Sequence, residues 1–492
     1  MYQKLVTLFK SSSIYTIGNL INRALFLISM PIMTRYLVPE EYGTLSIINA
    51  VIGIMITCYG LGSTSFAMRY YYEYDSEKDR KRLMGAIFSY ILFYTLIVSV
   101  LLSIFAESIF QKIFKDISFY PYMILGLWIC FISMLSILPD ILFRIRDQAI
   151  LYISIQFAKS TLVITLAIVS VVFLHRGAEG PLAASLVVGI IFGFYYLYYL
   201  KDKISFNFSI SIIKRCLKFS LPVLFLLLGR VLLDSTDRLI LQHFVGLSVV
   251  GFYSVGSTIG SVLVMIASSI NSAWAPFFYA TSKEESEIKA KELFSYASVY
   301  MGTIILFLGL CAVIFSKEII YILAPPSYYP VIKIIPYIMI GATLNALFFI
   351  PVRGIYQEKK TGFLPIIILI ALIINIVLNF ILIPKFQMLG AAVATVIASF
   401  VMLSICFIVS QKVYYIAYQY NRLFKVLAVC VLCYILSLFV NGYSLILSIS
   451  LKTLIIALFP VILYMMRFFE PREIEKIKEL MPAFLKRIRP AW

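Results

Sequence analysis

Long apolar stretches alternate with short polar ones along the whole chain, and this alternation predicts its elements. A helix of about 20 apolar residues can cross a bilayer. Segments of that kind lie at about 13–34, 44–68, 83–106, 120–141, 151–174, 181–200, 218–241, 248–274, 293–315, 332–352, 363–383, 389–410, 424–441 and 445–466. The pattern predicts an all-α polytopic membrane protein with about 14 transmembrane helices.

The positions of the basic residues support this division of the chain. Cytoplasmic loops of membrane proteins carry an excess of Lys and Arg. If the N-terminus is cytoplasmic, most of the 42 Lys and Arg residues lie in predicted inside segments. Three cations, Arg23, Lys159 and Arg230, are assigned to helix interiors. We therefore predict that both termini are cytoplasmic and that the amphipathic, basic tail lies at the inner surface.

Composition agrees with a membrane protein and narrows its chemistry. Apolar residues make up 62% of the chain and charged residues 13%, against roughly 45–50% and about 25% in soluble domains. The net charge of +18 is explained by loops that face an anionic inner leaflet, so no nucleic-acid partner is predicted. With 2 His residues, and 7 Cys residues in or beside apolar runs, we predict no metal site and no cofactor. Cys430 and Cys433 are interpreted as small buried side chains.

Two stretches of the chain about 207 residues apart resemble each other. In NLINRALFLISMPIMTRYLVPEEYGTLSI and FLLLGRVLLDSTDRLILQHFVGLSVVGFYSV, Arg23 matches Arg230 and Gly43 matches Gly251. FLHRGAEGPLAAS and LIPKFQMLGAAVAT form a second pair at a similar spacing. Such repeats are typical of transporters that rock around a central site. The predicted organisation is two six-helix bundles, two extra transmembrane helices and a tail, at 1–205, 206–412, 413–467 and 468–492.

The predicted helix at 218–241 contains the charged stretch GRVLLDSTDRLIL. Helical periodicity places Arg230, Asp234 and Asp237 on one face. A charged side chain at the bilayer centre costs about 2.5–3.5 kcal/mol on insertion scales, so such residues usually face a protein interior or a water-filled cavity. One interpretation is an Arg230–Asp234 ion pair that only neutralises itself.

A cationic cavity between the two halves is the favoured interpretation. It accounts for Arg230 together with Arg23 and Lys159, whose own helices carry no nearby acidic residue. Asn22 adjoins Arg23 and is assigned to the same cavity. Because Arg binds phosphate through its planar fork and Lys binds it as a point charge, these residues predict an anionic ligand.

The acidic residues of the same helix have two open interpretations. Asp234 and Asp237 either take up H⁺ or Na⁺ and couple movement to an ion gradient, or they only neutralise neighbouring arginines. One of those arginines, Arg238, is assigned to the outer end of the helix without a further role. In the segment 363–383, Asn375 and Asn379 share a face; they bridge helices or contact substrate, and bridging is favoured.

These features resemble the Wzx-type polysaccharide flippases of the MOP superfamily, which also contains MATE exporters and lipid II flippases. The resemblance rests on TRYLVPEEYGTLSI, STDRLILQHFVGLSVVGFYSV and NFILIPKFQMLGAAVAT, and it extends over most of the chain. It implies two bundles in a V around a cationic central cavity. It also implies alternating-access movement of undecaprenyl-diphosphate-linked oligosaccharides to the outer leaflet, coupled to H⁺ or Na⁺. Arg23 and Arg230 match the positions of cavity arginines that hold the diphosphate.

The resemblance further implies a bacterial inner-membrane location, contacts with membrane lipids, and a polymerase and glycosyltransferases as candidate partners. Gln387 stands where the family pattern has Gly. The alternatives are a MATE-like exporter of organic ions, which the predicted cations disfavour, and a lipid II flippase. An integral membrane enzyme is disfavoured because the predicted outer loops are all short.

Overall fold

A computed structural model describes residues 18, 21–22, 24–25, 27–440, 444–471 and 473, with only the backbone of residue 273. Within these residues the chain is helical and has no strand. The helices are α1 (27–36), α2 (Pro39–Gly60), α3 (Ser63–Tyr70), α4 (Glu77–Phe105), α5 (Glu107–Ile113), α6 (Ile124–Ile145), α7 (Ala149–Val172), α8 (Glu179–Leu200), α9 (Ile210–Phe244), α10 (Leu247–Glu284), α11 (Glu287–Ile314), α12 (Ser316–Leu323), α13 (Ile335–Leu347), α14 (Val352–Gln357), α15 (Phe363–Val413), α16 (Tyr420–Leu438) and α17 (Leu445–Met465).

In the described part of the chain, 12 helices are long and apolar enough to cross a membrane. One of them, α15, has 51 residues, which at 1.5 Å per residue is more than twice the roughly 30 Å of a bilayer core. Its backbone leaves helical geometry at Gln387 (φ 51°, ψ −130°), so it contains both predicted segments 363–383 and 389–410. The predicted segment 13–34 lies partly outside the described residues. The all-α polytopic prediction is confirmed, and the cytoplasmic placement of the termini stays a prediction.

The described residues form two compact units. The first unit comprises the described residues up to Pro276 together with Ile319–Tyr414, and the second comprises Phe277–Glu318 with the described residues from Tyr415 onwards. All described residues of the predicted site lie in the first unit. The repeat boundaries given above stay a prediction.

Two helices of the first unit, α2 and α10, approach each other closely at their N-terminal ends. Helix α2 begins at Pro39, where a missing N–H is harmless, and the Val38 N–H donates to the Glu41 carboxylate at 3.2 Å. A Cβ atom added to Gly43 would overlap the Leu247 carbonyl oxygen, and one added to Gly251 would overlap the Pro39 carbonyl oxygen. The two backbones can therefore meet only because both positions lack a side chain.

The polar contacts at this α2/α10 crossing have a constant sequence separation. The Ser248 hydroxyl donates to Glu40 at 2.9 Å, and the Ser254 hydroxyl donates to Ser46 at 2.6 Å. Both pairs are separated by 208 residues, which is also the offset between the two glycines. Residues related by a two-fold repeat contact each other only next to the repeat axis. The contacts are therefore those expected if such an axis passes between α2 and α10.

The second unit contains a buried ion pair that the sequence interpretation missed. The Lys452 ammonium group on α17 lies 2.7 and 2.9 Å from the two Glu318 carboxylate oxygens, and the Ser448 hydroxyl donates to the same carboxylate at 2.6 Å. The two charged side chains are 3% and 4% exposed. The assignment of only three cations to helix interiors is therefore wrong, because α17 begins at Leu445 and places Lys452 two turns inside it.

The close α2/α10 crossing predicts a strong difference between two glycines of the same helix. Gly43→Ala should lower the melting temperature of the purified protein by several degrees, because the new methyl group forces two backbones apart. Gly53→Ala is the matched control, since its Cβ would meet only a Val231 methyl group at 3.8 Å. That variant should be neutral or gain up to about 1 kcal/mol from helix propensity. Equal melting temperatures for the two variants would contradict the crossing.

The Lys452–Glu318 pair predicts a double-mutant rescue. Lys452→Met leaves a buried carboxylate without its partner and should lower the free energy of unfolding by about 3–5 kcal/mol. Adding Glu318→Gln removes the charge, so the double variant should recover most of that loss. The coupling free energy between the two side chains is measured by denaturing the wild type, Lys452→Met, Glu318→Gln and the double variant in the same detergent. Strictly additive effects would show that the two side chains do not interact.

Candidate functional site

The charges of α9 divide into an accessible pair and a buried carboxylate. Arg230 Nε lies 3.5 Å from Asp234 Oδ2, and the two side chains are 37% and 61% exposed. The self-neutralising pair considered from the sequence is thus present, but protein atoms do not enclose it. The guanidinium group is therefore accessible from outside the protein.

Asp237 has a different environment although it follows Asp234 by less than one turn. It is 5% exposed, and its carboxylate accepts hydrogen bonds from Tyr253 at 2.6 Å, from Asn379 at 2.7 Å and from Thr395. These donors come from α10 and from both parts of α15. Asp237 is therefore fixed by neutral groups, and its carboxylate makes no ion pair with a described residue.

The surroundings of Asp237 are rich in oxygen atoms. The Asn379 amide also donates to Asn375 Oδ1 at 3.0 Å, and both asparagines are fully buried. The bridging interpretation is confirmed, since Asn379 on α15 bonds Asp237 on α9. Asn379 Oδ1 itself is buried without a hydrogen-bond partner. Carboxylate, amide and hydroxyl oxygens suit a hard cation, and a carboxylate among neutral donors can also take a proton.

Lys159 has an acidic neighbour on another helix. Asp140 of α6 interacts electrostatically with Lys159 and Arg144, and its two carboxylate oxygens lie 3.4 Å from Gln156 Nε2. No ion pair within 4 Å joins Lys159 to a described residue, and its assignment to a cationic cavity stays a prediction. Its own helix carries no nearby acidic residue, as expected, and Asp140 belongs to the helix packed beside it.

The predicted residues of the first helix are only partly visible. Asn22 is half-buried, and its side-chain oxygen is shielded from solvent without a hydrogen-bond partner. Arg23 lies outside the described residues. The structure thus neither joins Arg23 to Arg230 nor separates them, and the diphosphate site stays a prediction.

A cavity of about 450 Å³ lies inside the first unit next to the α2/α10 crossing. It is lined by residues of α1, α2, α7, α8, α9 and α10, and Arg238 is the one cation among these described lining residues. The predicted residues Asn22, Lys159 and Arg230 are not among the described residues that line it. Arg238, which the sequence interpretation left without a role at the helix end, is therefore a lining residue of a cavity.

A sequence signal for this cavity did exist. Ser254, Ser257, Thr258 and Ser261 are spaced 0, 3, 4 and 7 residues along α10 and all line the cavity. That spacing places four hydroxyl groups on one helix face. A hydroxyl stripe in an apolar helix indicates a polar interior surface, and the helix that carries Arg238 precedes it directly.

Among the described residues, no cluster of three or more His, Cys, Asp or Glu side chains could hold a metal ion. Cys430 and Cys433 are free and buried, and their thiols face backbone carbonyls of Leu306 and Ile455.

Comparison with known families decides how this fold and these residues are grouped. The polysaccharide biosynthesis protein family matches residues 8–282 of the 492 residues. The chain belongs to this family. A second family, MatE, matches residues 222–381, which include α9 with Arg230, Asp237 and Arg238.

Relatives by sequence include one with a name from polysaccharide synthesis. The capsular polysaccharide biosynthesis protein CapF of Staphylococcus aureus is 27% identical over 242 residues, covering 44% of this chain and 57% of CapF. An uncharacterized membrane protein of Methanocaldococcus jannaschii, MJ1068, is 27% identical over 269 residues, covering 50% of this chain and 52% of that protein. This chain thus spans about half the length of these two relatives.

Solved structures show which fold the family member has. The lipid II flippase MurJ in an inward closed conformation superposes with a TM-score of 0.73 at 16% identity, covering 92% of this chain and 98% of that one. A multidrug resistance MATE transporter of the MOP superfamily, facing inward, gives 0.62 at 16% identity over 79% and 94% of the two chains. This polysaccharide biosynthesis protein therefore has the MOP transporter fold. It is a multi-pass protein of the bacterial inner membrane.

Proposed function

We propose that the protein is a flippase for undecaprenyl-diphosphate-linked oligosaccharide repeat units. It moves them from the cytoplasmic to the outer leaflet by alternating access, and the units then enter surface polysaccharide synthesis. The observation that carries this proposal is the combination of family and fold: a member of a polysaccharide biosynthesis family has the fold of membrane transporters. Such a protein acts on the membrane step of the pathway.

The α2/α10 crossing supports alternating access. Two glycine positions, one serine–serine contact and one serine–glutamate contact close one end of the first unit without large interlocking side chains. Small residues let helices approach closely and keep few contacts to break. A central site opens to that side when the two helices separate, and this is the movement that a repeat axis between them permits.

Arg230 is the residue that we assign to the diphosphate, together with Arg23, Lys159 and Asn22. Its ion pair with Asp234 is half-exposed, with 3.5 Å between Nε and Oδ2. Exposed ion pairs contribute only about 0–1 kcal/mol to stability. A diphosphate carries more charge than one carboxylate and offers oxygens that match the planar guanidinium fork. The ligand can therefore compete with Asp234 for Arg230.

Asp237 is the residue that we assign to ion coupling. It is buried, it is not used by an arginine, and Asn379 places an unpartnered amide oxygen beside it. Binding of H⁺ or Na⁺ there changes the charge at the junction of α9, α10 and α15. We assign Asp234 only to the neutralisation of Arg230, because it is exposed and lies 3.5 Å from Arg230 Nε.

A second candidate is a MATE-like exporter of organic ions, which the MatE match over residues 222–381 favours. The two candidates differ in the charge of their ligand. An exporter of organic cations needs an acidic cavity, whereas the cation among the cavity-lining residues here is Arg238 and no lining residue is acidic. Transport of an organic cation by the purified protein would favour this second candidate.

A rescue experiment separates a diphosphate-binding Arg230 from one that only neutralises Asp234. Arg230→Gln should stop surface polysaccharide production in a cell that depends on this protein, with the protein still present in the membrane. The double variant Arg230→Gln with Asp234→Asn removes both charges of the pair. If Arg230 binds the diphosphate, the double variant stays inactive. Restored production in the double variant would reduce Arg230 to a counter-ion.

Ion coupling predicts different effects for the two aspartates. In proteoliposomes with an imposed Na⁺ or H⁺ gradient, wild-type transport should rise severalfold for one of the two ions. Asp237→Asn keeps the shape and one acceptor oxygen but removes the charge, so the gradient should no longer accelerate transport. Asp234→Asn serves as the matched control on the same helix and should keep the response. An unchanged response in Asp237→Asn would exclude Asp237 as the coupling group.

A further inference from the structure

The cavity beside the α2/α10 crossing has an unusual combination of lining groups. Its volume of about 450 Å³ falls within the range of roughly 300–1,000 Å³ that is typical of small-molecule sites. Seven hydroxyl groups of Ser and Thr line it, together with Asn49, Tyr42 and Arg238. The remaining lining residues are apolar: Met30, Met33, Leu37, Leu45, Val163, Ile164, Ala167, Pro181 and Leu182. None of the lining residues is acidic.

Most of these hydroxyls have already used their hydrogen atoms. Ser257 donates to the Tyr253 carbonyl at 2.9 Å, Thr258 to the Ser254 carbonyl at 2.8 Å, and Ser261 to the Thr258 carbonyl at 2.7 Å. A hydroxyl group has one donor and two acceptor sites. The cavity wall formed by α10 therefore presents hydrogen-bond acceptors, and a ligand that fits it must bring donors. Sugar hydroxyl groups are such donors.

Arg238 adds a single positive charge to this wall. Its Nε–H is buried and has no hydrogen-bond partner. Asp234 lies one turn away and interacts with Arg238 electrostatically, but its ion pair within 4 Å is with Arg230. Arg238 lines the cavity, and no ion pair within 4 Å joins it to a described residue. A guanidinium group without an ion pair, in a cavity without acidic lining, calls for an anionic group from the ligand.

The number of charges indicates which anion. A diphosphate is held by several cations in the proposed main site, whereas this cavity has one. A carboxylate carries one negative charge and pairs with one guanidinium through two parallel hydrogen bonds. We propose that this cavity binds an acidic sugar of the transported oligosaccharide, with its carboxylate on Arg238 and its hydroxyls donating to the serines of α10. This inference rests on the proposed function and adds the substrate class: repeat units that contain a uronic acid.

The position of the site gives it a role in selection. Ser46 and Ser254, which hydrogen-bond to each other at the crossing, both line the cavity, and so does Tyr42 of α2. An acidic sugar in the cavity thus touches the residues that close this end of the first unit. Arg238 is a specificity-determining residue in this scheme, distinct from Arg230, which holds the group common to all such substrates.

A binding experiment with free sugars tests the site directly. Purified full-length protein in nanodiscs is titrated with glucuronic acid, with glucose as the neutral match and with inorganic pyrophosphate as competitor. Glucuronic acid should bind at least tenfold more tightly than glucose, and Arg238→Gln should abolish that difference. Arg176→Gln, which removes a half-exposed cation outside the cavity, is the matched control and should retain it.

Three results would overturn the proposal: equal binding of the two sugars, an unchanged preference in Arg238→Gln, or displacement of glucuronic acid by pyrophosphate. Arg238→Lys guards against a folding defect, because it keeps the charge and loses only the planar fork. It should show an intermediate preference at an unchanged melting temperature.

A transport experiment separates this inference from the function on which it rests. Proteoliposomes receive two fluorescent undecaprenyl-diphosphate glycans that differ only by glucose or glucuronic acid. The wild type should move the acidic glycan at least tenfold faster, and the rate ratio should approach one in Arg238→Gln. Equal rates in the wild type contradict the acidic-sugar site alone. If the wild type moves neither glycan, the flippase function fails, and the free-sugar titration still decides the site.

Discussion

The interior of this protein is organised by the cost of an isolated charge among apolar helices. Four charged residues of the described helices show three ways in which this cost is reduced. Glu318 and Lys452 pair in a closed environment, Asp237 is held by three neutral donors, and Arg238 faces a cavity. A buried charge without a partner would cost several kcal/mol. A charge that is paired inside the protein has a structural role. A charge without a counter-ion is available to bind a ligand or an ion.

The chain's membrane architecture could be read from the sequence because hydrophobic length is a local property. The segments predicted between 83 and 315 correspond to helices of the structure, and Gln387 marks where the longest helix divides. The family pattern has glycine at this position, and the backbone of Gln387 has a positive φ of 51°. Glycine would adopt this geometry without the penalty that a side chain imposes.

The site could be predicted only in part, because partners come from other helices. A helical wheel places Asp234 and Asp237 on one face, yet one is exposed and the other is enclosed by α10 and α15. Nothing within α7 indicates that Asp140 lies beside Lys159. Arg238 was assigned to a helix end, and Lys452 was not counted among the cations inside helices, because charge counts do not reveal how deep in a helix a residue lies. Depth and partner are tertiary properties, and a single sequence carries them only as indirect signals such as the hydroxyl stripe of α10.

The crossing of α2 and α10 also constrains how the gene can change. Gly43 and Gly251 each leave room for the backbone of the facing helix, so neither position can change independently of the other helix. A duplication that once produced two identical halves would have supplied both glycines at once, and selection would then preserve them as a pair. A substitution at either glycine would therefore have to be matched by a change in the backbone of the facing helix, which a single codon change cannot supply.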